Sequence, residues 1–307
     1  MFERKKIGVA LGSGGMKGLA HIGVLKVLEE HKIPVDFISG TSIGAVIGAL
    51  YAAEPNAKKL EKIALDQKLN SLFDYTLSRY GLIKGEKIEK YLKEKLDNVS
   101  FKELKIPLFV TAFDLEEKRE IIFSKGDVAK AVRASIAIPG IFFPVANNKE
   151  MLVDGGVIDP IPIKILRKMG ADIVIAVNVN KMQERPPVLN EVATTKAGKK
   201  KIPSILENAL TSIGMMGSES SRADLDANKA DLAINVNLEK INMFEFKKTK
   251  FIIEKGRMAA AKSLNDIKNI AEPSPFKFFL QELNPKKNVE KIVRSVKKTI
   301  AKAKELD

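Results

Sequence analysis

A chain of 307 residues is long enough for one large domain, or for a domain with an appendage, whose core needs no covalent staples. It contains no cysteine, which excludes disulfides, thiolate metal sites and thiol nucleophiles together and suits a reducing compartment. A formal net charge of +14 attracts anionic partners; its basic residues are mostly lysines spread among acids, with no arginine-rich, aromatic-interleaved stretch, so a membrane surface fits better than nucleic acid.

The first apolar run, 7–11, follows Arg4, Lys5 and Lys6 and is closed by glycines too early for a secretory signal. No run approaches the ~20 apolar residues of a membrane span, and the expected location is the cytoplasm. Leu19, Ile22, Leu25 and Leu28 then recur at helical spacing. Pro34 opens a second short strand over 35–39, which runs through Gly40-Thr41-Ser42-Ile43-Gly44 into an apolar helix over 43–53, so the chain begins as a βαβα unit. Further on, the pattern predicts a surface helix over 86–96, strands over 108–113 and 120–123, a helix starting at 128–134, a strand stub at 151–153, a helix over 161–169 and a buried strand over 173–179. Such alternation implies an α/β fold with a mostly parallel sheet between helical layers. Residues 183–203, with Pro186-Pro187 and Lys199-Lys200-Lys201, form an exposed loop or flap. A helix over 205–216, a strand over 232–236 and one long helix over 250–267 complete a main domain of residues 1–272, and 273–307 form a basic extension.

Gly40-x-Ser42-x-Gly44 carries meaning because it lies where a strand hands over to a helix. The turn is sharp, only small neighbours tolerate it, and it presents the Ser42 hydroxyl at the strand's end, above a helix N-terminus whose positive potential favours an oxyanion. Gly12-Ser13-Gly14-Gly15-Met16-Lys17-Gly18 is a second strand-to-helix turn whose amides can face the same crevice. A dinucleotide loop is disfavoured there: its third glycine would fall on Lys17, and the second strand ends in the serine turn instead of an acidic ribose ligand.

A serine nucleophile needs a base. The two histidines, His21 and His31, both precede Ser42, which excludes a Ser–Asp–His triad of the α/β-hydrolase order. His21, on the helix after the glycine loop, is expected to be a hydrogen-bonded core residue, and His31 a solvated group at that helix's end. Asp154-Gly155-Gly156, after the stub and before Asp159-Pro160-Ile161-Pro162, offers a carboxylate at a strand end whose partial burial would raise its pKa into a useful range.

Together these blocks resemble the patatin-like phospholipase family, especially its compact bacterial-type members, over residues 6–267. The resemblance rests on the glycine loop with Lys17, on Gly18-Leu19-Ala20-His21-Ile22-Gly23-Val24-Leu25, on the Gly40–Gly44 elbow, on Arg133-Ala134-Ser135 through Ile138-Pro139-Gly140 to Phe142-Phe143-Pro144, and on Asp154-Gly155-Gly156. It implies a three-layer α/β/α fold, a Ser42–Asp154 dyad, an oxyanion hole in Gly14, Gly15, Met16 and Lys17, and cleavage of fatty acyl esters of phospholipids or lysophospholipids through an acyl-serine. The chain departs from the family in carrying Ser13-Gly14-Gly15 where many members have an unbroken glycine triplet, which leaves the individual oxyanion amides open. Phe142 and Phe143 are candidates for the acyl pocket, with a place in the buried core as the alternative, and Ser135 is expected to be a packing residue. The scheme implies no cofactor and no metal, and the sequence has no cluster of metal-ligand spacing. A non-catalytic lipid-binding or regulatory patatin-like protein, or an acyltransferase, is the alternative.

In the extension, Phe276, Phe278 and Phe279 precede a helical pattern with Val289, Ile292, Val293, Val296 and Ile300 on one face and Lys291, Arg294, Lys297, Lys298 and Lys302 on the other. Such a stripe over 276–304 can lie on an anionic bilayer as a peripheral membrane contact, or pack on the catalytic domain or a second subunit.

Overall fold

The computed structural model describes residues 4–66, 71–78, 80–180, 230–239, 241 and 246–271. The expected flap, the 205–216 helix and the basic extension from 273 lie outside the described residues. The chain divides into two compact units, Met1–Leu264 and Asn265–Asp307.

In the first unit, β1 (Ile7–Leu11), α1 (Ala20–Glu30), β2 (Phe37–Thr41) and α2 (Ile43–Ala53) form the βαβα start, followed by α3 (Ala57–Ala64) and a hairpin of β3 (Tyr75–Ser78) and β4 (Gly81–Ile83). Next come α4 (Glu86–Lys95), β5 (Leu108–Asp114), β6 (Arg119–Phe123), α5 (Val128–Ser135), β7 (Val145–Asn147) and β8 (Glu150–Asp154). Then follow α6 (Ile163–Lys168), β9 (Ile173–Asn178), β10 (Leu232–Asn235) and α7 (Thr249–Lys262). A further helix, α8, spans Leu264–Ala271.

Every residue of β1 and β9 is buried, as expected of strands covered on both faces by helices. The pairs β10–β9, β9–β1, β1–β2 and β2–β5 are all parallel, and β6, β8 and β7 add an antiparallel margin. The architecture is therefore the expected α/β fold with a mostly parallel sheet.

The register around β5 explains how two residues far apart in sequence meet. β2 runs along Leu108–Thr111, ending with Thr41 opposite Thr111. β8 runs the other way along Ala112–Asp114, ending with Asp154 opposite Ala112. β6 occupies one edge of β5 from Val110 to Asp114, overlapping both partners. A strand has only two edges, so β2 and β8 share the other, end to end, and the residues at their facing tips are neighbours.

Three local expectations are corrected. The long helix over 250–267 is two helices, because Ser263 (φ −90°, ψ 3°) closes α7 by donating its N–H to the carbonyls of Ala259 and Ala260. The β3–β4 hairpin and α3 were not anticipated. The strand expected at 35–39 lies two residues later, because Asp36 is used as a tie, its carboxylate accepting from the Ile7 N–H at 2.8 Å and from Arg4 at 2.5 and 2.6 Å.

Candidate active site

Ser42 sits between β2 and α2 with φ 58° and ψ −125°, a conformation of positive φ that costs a non-glycine residue about 1–3 kcal/mol. What holds it is the helix beyond: the Ser42 carbonyl accepts from the N–H groups of Ala45 and Val46 at 2.9 and 3.2 Å. Gly44 is required by close approach, since a Cβ there would stand 2.0 Å from the Leu11 carbonyl oxygen. The first turn of α2 thus rests on the end of β1.

The Ser42 hydroxyl donates to Asp154 Oδ2 at 2.5 Å. Asp154 Oδ1 accepts from the Gly156 N–H at 2.8 Å, and the Asp154 N–H donates to the Ala137 carbonyl at 3.0 Å. Both residues are buried. Burial in apolar surroundings pushes the Asp154 carboxyl up to about 6, against the opposing pull of the hydrogen bonds from Ser42 and Gly156.

The glycine loop lies beside this pair, pinned by hydrogen bonds from Gly12 N–H to Val177, from Ser13 N–H to Pro160 and from Asn180 Nδ2 to the Ser13 carbonyl. Gly14 (φ 152°) and Gly15 (φ 56°) then turn the chain into a 3₁₀ turn over Gly15–Leu19. The first N–H groups of such a turn, those of Gly15 and Met16, have no acceptor within it, whereas Lys17 N–H closes its first bond. Of the four residues expected to hold an oxyanion, Gly15 and Met16 share a cavity wall with Ser42, and Gly14 and Lys17 do not. The Gly14 α-carbon instead faces Val179 and Asn180, and the half-buried Lys17 ammonium has its pKa lowered by burial, offset in part by the charge of Glu239.

His21 is fully buried, and its Nε2 lies 2.7 Å from the Gly12 carbonyl oxygen. A carbonyl only accepts, so Nε2 carries a proton. Burial holds its pKa down at about 4, opposed by that hydrogen bond. Nδ1 is buried with no hydrogen-bond partner among the described residues. Since the Ser42 proton is directed to Asp154, His21 is tied into the foot of the glycine loop as a donor.

Ser42 opens onto a cleft whose walls are almost wholly apolar and include Met16, Ile43, Val46, Leu92, Ile136 and Phe142. Walls of this kind suit an apolar ligand. Phe143 is not part of these walls, a correction to the expected pair. Successive residues point opposite ways here: Phe142 packs beneath Arg133, with the guanidinium 5.6 Å from its ring, and Phe143 turns edge-on to Tyr80 at 6.1 Å. Ser135 was expected only to pack; its hydroxyl instead accepts from the Ser42 N–H at 2.9 Å. The available signal was a small polar residue ending an otherwise buried helix face.

The site thus joins a serine on a strained strand-to-helix turn, a buried carboxylate, a glycine turn and an apolar cleft at the strand ends of an α/β sheet. Residues 9–167, just over half of the chain, match the model of the patatin-like phospholipase family, and the chain belongs to that family. Among curated proteins it is 36% identical over 187 residues to an uncharacterized NTE family protein of Mycobacterium bovis, covering 59% of this chain and 51% of that protein. It is 33% identical over 195 residues to lysophospholipase NTE1 of Candida albicans, covering 61% of this chain and 14% of that protein. The chain thus spans about half the length of the mycobacterial relative and a small part of the fungal one. Among solved structures, VipD from Legionella pneumophila shares the fold with a TM-score of 0.56 at 14% identity, covering 86% of this chain and 67% of that one. Among the described residues no helix is long and apolar enough to cross a membrane.

Proposed function

We propose that the protein is a serine lipid acyl hydrolase acting on fatty acyl esters of phospholipids or lysophospholipids, with Ser42 as nucleophile and Asp154 as its base. The observation that carries this reading is the 2.5 Å hydrogen bond from the Ser42 hydroxyl to a buried carboxylate at the wall of an apolar cleft. Membership of the patatin-like phospholipase family and the lysophospholipase name of the fungal relative support the choice of substrate class.

In this scheme the acyl chain lies in the cleft and its ester carbonyl reaches Ser42. Asp154 accepts the hydroxyl proton as Oγ attacks the carbonyl carbon. The N–H groups of Gly15 and Met16, together with the N-terminus of α2, stabilise the oxyanion. Collapse expels the alkoxide, which takes the proton from Asp154 and leaves an acyl-serine. Water, deprotonated by the same carboxylate, then attacks the acyl-serine and frees the fatty acid. A carboxyl with a pKa of about 6 suits both directions of proton transfer near neutral pH.

The test is covalent labelling with a fluorophosphonate, alongside hydrolysis of a short-chain soluble ester. Wild type is expected to label at Ser42, and Ser42→Ala to lose both labelling and hydrolysis, the latter by on the order of 10⁴-fold or more. Full hydrolysis by Ser42→Ala would sink the proposal. Retained labelling without fatty acid release from lysophospholipid would narrow it to acyl transfer or a different ester.

A further inference from the structure

The end of α5 and the two residues after it touch both halves of the proposed dyad, through the Ser135 side chain and the Ala137 carbonyl. Ser135 Oγ accepts the Ser42 N–H at 2.9 Å and donates its own proton to the Thr111 carbonyl at 2.6 Å. Two residues on, the Ala137 carbonyl accepts the Asp154 N–H at 3.0 Å. Ser135 and Ala137 are both fully buried, and Ile136 between them lines the cleft.

A hydroxyl has one proton. Ser135 commits it to Thr111, which leaves a lone pair facing the Ser42 amide and fixes the direction of the chain of hydrogen bonds. Thr111 is the β5 residue that pairs with Thr41, and its neighbour Ala112 pairs with Asp154. The tips of β2 and β8 are therefore referenced to the same two residues of β5, once through the sheet and again through 135–137. Main-chain sheet pairing cannot fix the Ser42 amide, because the chain leaves the strand there with φ 58°. Without Ser135 that buried N–H loses its acceptor in this structure, and the turn loses its tie on the side away from α2.

From this arrangement we propose that Ser135–Ile136–Ala137 is a clamp that sets the distance between Ser42 Oγ and the Asp154 carboxylate, with Ser135 as a positioning residue for the nucleophile. The proposal rests on the hydrolase reading above. It also implies that the Ser42 amide is spent on Ser135, so the oxyanion depends on the glycine loop and the α2 N-terminus.

The test compares Ser135→Ala with the shape-matched pair Ser135→Thr and Ser135→Val, reading the fluorophosphonate labelling rate, kcat and KM on a soluble ester, and folding by circular dichroism. Ser135→Ala is expected to lower kcat and the labelling rate by about 10- to 100-fold with KM little changed, the scale of a misplacement near 1 Å. Ser135→Thr, which keeps the hydroxyl, is expected to label at least ~10-fold faster than Ser135→Val, whose bulk is the same. Folded Ala and Val variants that label as fast as wild type and Thr respectively would overturn the clamp. So would a Thr variant that folds while both apolar variants do not, since the hydroxyl would then serve the fold and not the turn. A wild type that does not label at Ser42 would remove the hydrolase reading and the clamp with it, whereas normal labelling of wild type beside unaffected Ser135 variants removes the clamp alone.

Discussion

Two neighbouring parts of the molecule each bury one titratable side chain, and they bond it in opposite ways. At the meeting of β2 and β8, Asp154 receives hydrogen bonds from Ser42 and Gly156. At the foot of the glycine loop, His21 gives one to Gly12. Burial penalises the charged form in both cases, which raises the carboxyl to about 6 and lowers the imidazole to about 4. At neutral pH the first is a carboxylate within reach of protonation, and the second is locked neutral. The same desolvation thus suits one group to the proposed role of base and leaves the other a neutral strut, and the difference lies in what each is bonded to: a hydroxyl that can give up its proton, or a carbonyl that has none.

Activity measurements on paired variants break the comparison most directly. Asp154→Asn is expected to lower kcat by about 10²–10⁴-fold, the range for removing a general base. His21→Gln keeps a donor near the position of Nε2 and is expected to stay within about tenfold of wild type, as for a residue that acts only through packing of the loop. Soluble-ester assays on both decide it, and a larger loss in His21→Gln than in Asp154→Asn would reverse the roles assigned here.

A second, smaller effect is the pH dependence of the wild-type enzyme. Asp154 must be ionised to accept a proton, so kcat/KM on a non-ionising ester should rise with pH through a midpoint near 6 and fall about tenfold per pH step well below it. His21 stays neutral throughout that range and should add no inflection between pH 5 and 8. A descending limb near 6.5 that disappears in His21→Gln would show that the histidine titrates in the working enzyme.

The elements that carry this contrast were not equally visible in the sequence. Ser42 and Asp154 were legible because each lies in a short motif, Gly40–Gly44 and Asp154–Gly156, whose glycines mark tight turns at strand ends. That they touch was an inference from chemistry; its structural cause is the shared edge of β5, a matter of register that no local pattern encodes. Ser135 was read as a packing residue because its partner is a backbone amide 93 residues away. The break at Ser263 escaped because apolar residues continue in helical phase across it, through Ile253, Ala260 and Ile267. The β3–β4 hairpin escaped because its turn, between Ser78 and Gly81, lacks the Asn-Gly or Asp-Gly signal that marks two-residue turns. The oxyanion residues were legible as a stretch of chain, but the separation of Gly15 and Met16 from Gly14 and Lys17 depends on where the 3₁₀ turn begins.

The finest expected effect lies in stability, where the two groups should pull against each other. Asp154 has a folded pKa raised from 3.8 to about 6, so between those values the native state holds the extra proton; its contribution is present below pH 4 and lost as pH rises through 6. His21 is lowered from 6.5 to about 4, so between those values the unfolded state holds the extra proton; its contribution is present above pH 6.5 and lost as pH falls toward 4. Differences in Tm between each variant and wild type cancel the remaining titrations. Asp154→Asn should match wild type near pH 4 and exceed it by roughly 5 °C at pH 8, for a gain on the order of 2 kcal/mol. His21→Gln should show its most favourable difference near pH 4 and its least favourable above pH 6.5. Parallel Tm curves for wild type and Asp154→Asn across pH 4 to 8 would mean that the carboxylate is not held at a cost in the native fold, and the account of its raised pKa as a product of burial would fail.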